Sequence, residues 1–143
     1  MADTLRELLT EYDNKQYATD AGVAMHRKMR FVNMLDVDND IVKQIKSHPE
    51  LEIFFGENAQ TEVPVAAVIN GKFISRRIDR MVVDDKNNVI HILDYKTDVD
   101  KGAFHTNYIA QVREYMTIMK QIYPKYKVCG YILWLHDWTL EKI

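Results

Sequence analysis

The sequence predicts a mixed α/β domain, with helices packed around one β-sheet, and three observations carry that prediction. Apolar residues recur at helical spacing early in the chain and again over residues 106–122, where Ile109, Val112, Met116 and Met119 fall on one face. Between and after these stretches the pattern changes to short runs rich in Val, Ile and aromatic residues, which read as strands. Asn70-Gly71 separates two such runs, and that pair suits the positive φ angles of a tight hairpin turn.

Taken in order, residues 4–14 read as an N-terminal helical segment, which with its flanks occupies 1–19, ahead of a single domain over 20–143. A helix follows over 20–35: Asp20 caps its start, and Met25, Met29 and Val32 recur at helical spacing. Asp38 or Asn39 caps a third, short helix that runs through Ser47 and is stopped by Pro49. "TEVPVAAVI" and "KFISRRIDRMVV" are the two strands of the Asn70-Gly71 hairpin. "DDKNN" makes the next turn and "VIHILDYK" the third strand. The helix over 106–122 ends at Pro124. "KVCGYILWL" is a fourth strand and "WTLEKI" a fifth. Helices, an antiparallel meander, a helix and more strand make a sandwich around one sheet.

The bulk properties restrict the function classes. A chain of 143 residues suits one domain with a real core. No apolar run approaches the roughly 20 residues that span a bilayer, and the polar start "MADTLRELLTEYDNK" has no secretory h-region. No membrane association is expected. The one cysteine, Cys129, reads as a small core residue of the fourth strand, which fits a reducing cytoplasm. A formal charge of −2 weighs against a free-standing nucleic-acid binder, unless a local basic patch or a bound metal supplies positive charge.

The chemistry is concentrated in "HILDYKTD", residues 91–98. Side chains at i and i+2 of a strand share a face, so Asp94 and Lys96 project together. The preceding strand carries Asp79 in "RRIDRM", and pairing through the turn at 84–88 brings it toward Asp94. Two adjacent carboxylates repel unless a cation lies between them, and a hard divalent ion such as Mg²⁺ suits oxygen donors. An adjacent lysine can orient a water and counter charge on a phosphoryl group. Alone, an Asp-x-Lys reads more readily as an ordinary salt bridge at a solvated strand end, because the motif is short and common.

"AGVAMHRKM", "TEVPV", "RRIDRMVV", "HILDYKT" and "YIAQVREYM", in that order, resemble the successive motifs of the RecB/AddA-type nuclease domain, a branch of the PD-(D/E)XK nuclease superfamily. The likeness is closest to the C-terminal nuclease domain of AddA-type helicase–nucleases, and it runs from about Asp20 to the C-terminus. It implies a restriction-endonuclease-like fold and a Mg²⁺-dependent deoxyribonuclease, with Mn²⁺ able to substitute. It further implies an exonuclease on single-stranded DNA ends in double-strand-break repair and recombination. The partners implied are a DNA single strand or duplex end and a helicase chain of an AddAB/RecBCD-like complex. An iron–sulfur cluster is not expected with one cysteine.

The resemblance assigns metal binding to His26, Asp79 and Asp94 with the Tyr95 backbone carbonyl, and catalysis to Lys96 with Asp79 and Asp94. Gln111 and Tyr115 would support the lysine or the DNA, with a purely structural role for Tyr115 an open alternative. Glu62 occupies a strand position where relatives often carry an acid. Arg76, Arg77 and Arg80 are either phosphate contacts or the solvated face of an edge strand. Arg76 stands where relatives often have glycine, three residues before the motif aspartate. The chain has no Walker-type phosphate loop. A junction resolvase or restriction-type endonuclease is a variant of the same chemistry. A non-catalytic DNA- or partner-binding module on the same fold is the rival from another class.

Overall fold

The computed structural model describes residue 29, residues 40–97 and residues 101–143, with backbone only over 101–103. The chain divides into two compact units, Met1–Phe31 and Val32–Ile143, and the fold described below belongs to the second. The helices expected over 4–14 and 20–35, the domain boundary at 19/20 and His26 lie outside the described residues.

The second unit is an α/β fold around one five-stranded mixed sheet in the order β1-β2-β3-β4-β5. The strands are β1 (Ala59–Ile69), β2 (Lys72–Asp84), β3 (Val89–Lys96), β4 (Lys127–Trp134) and β5 (Thr139–Lys142). Helix α1 (Asp40–Lys46) precedes them, and helix α2 (Lys101–Ile122) connects β3 to β4. That connection makes β3 and β4 parallel, while the other neighbours are antiparallel. No helix among the described residues is long and apolar enough to cross a membrane.

Local chemistry explains most boundaries. Asn70 and Gly71 have φ of 52° and 77°, as their two-residue turn requires, and Ile69 pairs with Lys72 across it. Asp84 Oδ1 accepts from the N–H groups of Lys86 and Asn87 and so closes the turn into β3. Helix α2 begins at Lys101 rather than 106 and ends just before Pro124. Pro49 stops α1 as expected, but it also opens a 3-10 helix over Pro49–Phe55. Proline's fixed φ suits a first helical position, and its missing N–H is not needed there.

The two faces of the sheet are covered differently. Tyr115, Ile118 and Met119 of α2 pack with Val65, Ile78, Met81, Ile90 and Ile92. Val112 packs with Ile132 and Trp134. The 3-10 helix lies on the opposite face, where Phe54 meets the His91 and Tyr131 rings. Cys129 is free and buried, as its place in β4 predicts. Gly130 is where α2 comes closest: a Cβ there would lie 2.6 Å from both Met116 Sδ and Val112 Cγ1.

Strand β2 breaks the simple alternation of a strand. Ile78 and Met81, three apart, join the same core cluster under α2. The β1–β2 register steps from Thr61↔Arg80 to Val63↔Ile78, and Glu62 between them has φ of 53°. A glutamate in that left-handed region costs on the order of 1 kcal/mol, so the surrounding sheet holds it there. The break falls at Asp79, opposite Glu62, and it sends Arg80 to the face away from α2.

Candidate active site

The β2–β3 ladder runs from Asp84↔Val89 to Arg80↔Leu93. One step further in that register, Asp79 faces Asp94. Here a side chain takes over from the backbone: Asp79 Oδ2 accepts the Tyr95 N–H at 2.8 Å. The first predicted ligand therefore sits against the strand end that carries the second. Tyr95, expected to offer its carbonyl, is the residue whose N–H Asp79 fixes.

Asp94 is 3% exposed. Lys96 Nζ lies 2.9 Å from its Oδ2. Oδ2 is thus a buried oxygen whose charge one lysine counters. Burial pushes the Asp94 carboxyl up to about 7, Lys96 opposes the rise, and the nearby Asp79 charge adds to it. A buried carboxylate beside a second carboxylate is a donor arrangement that a hard cation satisfies. Among the described residues no set of three or more His, Cys, Asp or Glu is arranged to hold a metal. Asp79 and Asp94 thus fit as two oxygen donors, and the third donor that the resemblance implies, His26, lies outside the described residues.

Lys96 is held from three sides. Besides Asp94, its Nζ donates to Gln111 Oε1 at 2.9 Å and stands 4.5 Å from the centre of the Tyr108 ring. Gln111 Nε2 in turn donates to the Tyr115 hydroxyl at 2.7 Å. Tyr115 is buried in the α2 cluster, and burial raises its hydroxyl well above the ordinary tyrosine value. The structural role of Tyr115 and its support of Gln111 are one arrangement. Tyr108 was missed from sequence, although Tyr108, Gln111 and Tyr115 stand at i, i+3 and i+7 of one helix and so share a face.

The other predicted residues lie elsewhere. Arg76 Nε pairs with Glu114 Oε1 and ties β2 to α2. Arg77 is mostly exposed and stands 3.7 Å from Glu62. The charge of Glu62 also reaches the Tyr95 hydroxyl. Arg80 corrects the expectation for the arginines: it is 2% exposed and touches no solvated face. Its Nε donates to the Tyr95 hydroxyl, its Nη1 donates to the Phe54 carbonyl at 2.8 Å, and its guanidinium lies 4.1 Å from the Phe55 ring centre. The edge-strand assignment is corrected with it, because β2 is flanked by β1 and β3, and β1 is the edge.

No family model and no curated protein matches the chain. Among solved structures it is similar to one described as "Crystal structure of SSO0001", at 21% identity and a TM-score of 0.45, over 72% of this chain and 48% of that one. The chain thus spans about half the length of that neighbour.

Proposed function

We propose that this chain carries a divalent-metal-dependent phosphodiesterase site of the PD-(D/E)XK kind, acting on DNA. It would work as a nuclease domain of a helicase or as a helicase's partner in break repair, on strands fed from an unwound end. The observation that supports this most is the meeting of Asp79, Asp94 and Lys96 at one strand end, with Lys96 tied to Gln111. Asp79 and Asp94 would hold the ion, joined by His26 on the strength of the resemblance. A bound Mg²⁺ supplies Lewis acidity at the phosphate and a more acidic water. Lys96, already oriented by Asp94, Gln111 and the Tyr108 face, positions that water and counters charge growing on the phosphoryl oxygens. The water oxygen forms the new P–O bond, the bridging P–O bond breaks, and the water's proton ends on the leaving oxygen. Buried contacts fix Lys96 in place, so little reorganisation is needed when the phosphate arrives.

The test is cleavage of end-labelled linear single-stranded DNA with Mg²⁺, Mn²⁺ or EDTA. Lys96→Ala and Asp94→Asn should each lose about 100-fold or more of the metal-dependent rate. Undiminished cleavage by Asp94→Asn sinks the mechanism. A closed circular substrate separates an endonuclease from a strict exonuclease. One observation favours a second reading, a module that binds DNA or a repair partner without turnover. The Lys96–Asp94 contact is also what a static buried ion pair looks like. That reading predicts binding without cleavage, and no Mn²⁺ titration that Asp94→Asn abolishes.

A further inference from the structure

The cation of the candidate site stands over the middle of a strip of rings. Tyr108, beneath Lys96 Nζ, lies 6.2 Å centre to centre from Phe104, one turn earlier on α2. On its other side it lies 6.0 Å from Trp134 of β4, which pairs with Lys96 in the sheet. Trp134 is fully buried, whereas Phe104 is 52% exposed. The strip therefore rises from the core, passes under the lysine and ends at a large apolar ring open to water. The carboxylates beside it are engaged: Glu141 meets His105 Nε2 at 2.6 and 2.9 Å, and Asp137 stands 3.4 Å from His136 Nε2.

We propose that Phe104 and Tyr108 form a stacking platform for an unpaired nucleobase of a single-stranded nucleic acid whose phosphate lies at Lys96. The proposal rests on the phosphodiesterase reading and adds to it the residues that receive the bases of the strand. A nucleotide carries a flat π-face and an anion on one short unit, and this surface offers an aromatic face and a cation in the same adjacency. Inside a duplex both faces of each base are covered by stacked neighbours, so only a terminal pair offers the ring a free face. An unpaired base presents a free face, and such stacking tolerates any base because every base has one. Strand selectivity then comes from the rings, and charge neutralisation from Lys96.

The experiment compares two fluorescein-labelled oligonucleotides of about twelve units. One is oligothymidylate and the other has the same backbone and charge but abasic units. Binding is measured with Ca²⁺ in place of Mg²⁺. Wild type should prefer oligothymidylate by about 5-fold or more. Phe104→Ala should bring the ratio to about one and leave binding of the abasic strand unchanged, and Phe104→Trp should restore the preference. Phe104 is at the surface, and unchanged melting of the variants checks that they fold. A ratio near one in wild type, a ratio untouched by Phe104→Ala, or no binding of either strand overturns the platform. The two levels separate cleanly. Cleavage that Lys96→Ala abolishes, without any base preference, removes the platform and keeps the phosphodiesterase. A Phe104-dependent preference without metal-dependent cleavage does the reverse.

Discussion

Gly130→Ala should destabilise the sheet–helix interface by about 2 kcal/mol. An added Cβ would lie 2.6 Å from Met116 Sδ and from Val112 Cγ1, about 1 Å inside an ordinary van der Waals contact. The two neighbours do not yield equally. Met116 has three soft torsions and can swing its sulfur aside. Val112 is fully buried, packs with Ile132 and Trp134, and as a β-branched residue in a helix has essentially one rotamer. Relief therefore requires the α2 backbone to lift from β4, which loosens that cluster. For a chain of this size, about 2 kcal/mol corresponds to a melting temperature lower by roughly 8 °C. Urea denaturation gives the free energy directly, and the double variant with Val112→Ala gives the mechanism. Removing the two Val112 methyls makes room, so the double variant should be more stable than the sum of the single effects by about 1 kcal/mol. A single-variant cost under about 0.5 kcal/mol, or additivity in the cycle, refutes the steric account.

Two further outcomes follow from polar side chains packed against the sheet. Arg80→Ala should cost about 2–4 kcal/mol in urea denaturation, because it strips the Tyr95 hydroxyl and the Phe54 carbonyl of their donor and leaves the Phe55 ring uncovered; a loss below about 1 kcal/mol would show that water replaces the guanidinium. Burial beside Phe54 and Tyr131 holds the His91 imidazole below its ordinary value, with Asp84 opposing and Lys127 and Lys142 reinforcing. The unfolded chain then binds a proton that the folded chain refuses, so the His91 contribution to stability should fall as pH drops below about 6.5, against the Asp94 carboxyl, whose raised value adds stability over the same range. Relative to His91→Leu, wild type should therefore lose stability as pH falls through that range, and a difference that does not change with pH would place the effect elsewhere.

The parts of the fold that were legible in sequence are those where local chemistry leaves little choice. Strand β3 was read to the residue because Asn87-Asn88 closes one end and its apolar run has no helical period. The Asn70-Gly71 hairpin was legible because few residue pairs accept two positive φ angles in succession. The approach of Asp79 to Asp94 followed from pairing β2 with β3 through the turn at 84–88. Arg80 was misread for an equally physical reason. Strict alternation places Arg76, Ile78 and Arg80 on one face, and the reversal at Asp79 depends on Glu62 of the neighbouring strand, which β2's own sequence does not reveal. The 3-10 helix was hidden because Pro49 signals an end and a beginning with the same residue. Tyr108 was hidden because its partner Lys96 is distant in sequence, although the shared helix face with Gln111 was there to be read.

The bond from the Tyr95 amide to Asp79 makes one carboxylate a member of two systems at once. It occupies the position where a peptide carbonyl would continue the ladder, so the continuity of the sheet at this point is a property of a side chain and open to substitution. Truncating Asp79 to Ala would remove the proposed ligand and a rung together, and a loss of the proposed cleavage would say nothing about which loss mattered. Asp79→Asn keeps an acceptor oxygen for Tyr95 while discarding the charge. At this position the isosteric amide, not alanine, isolates the chemistry from the architecture.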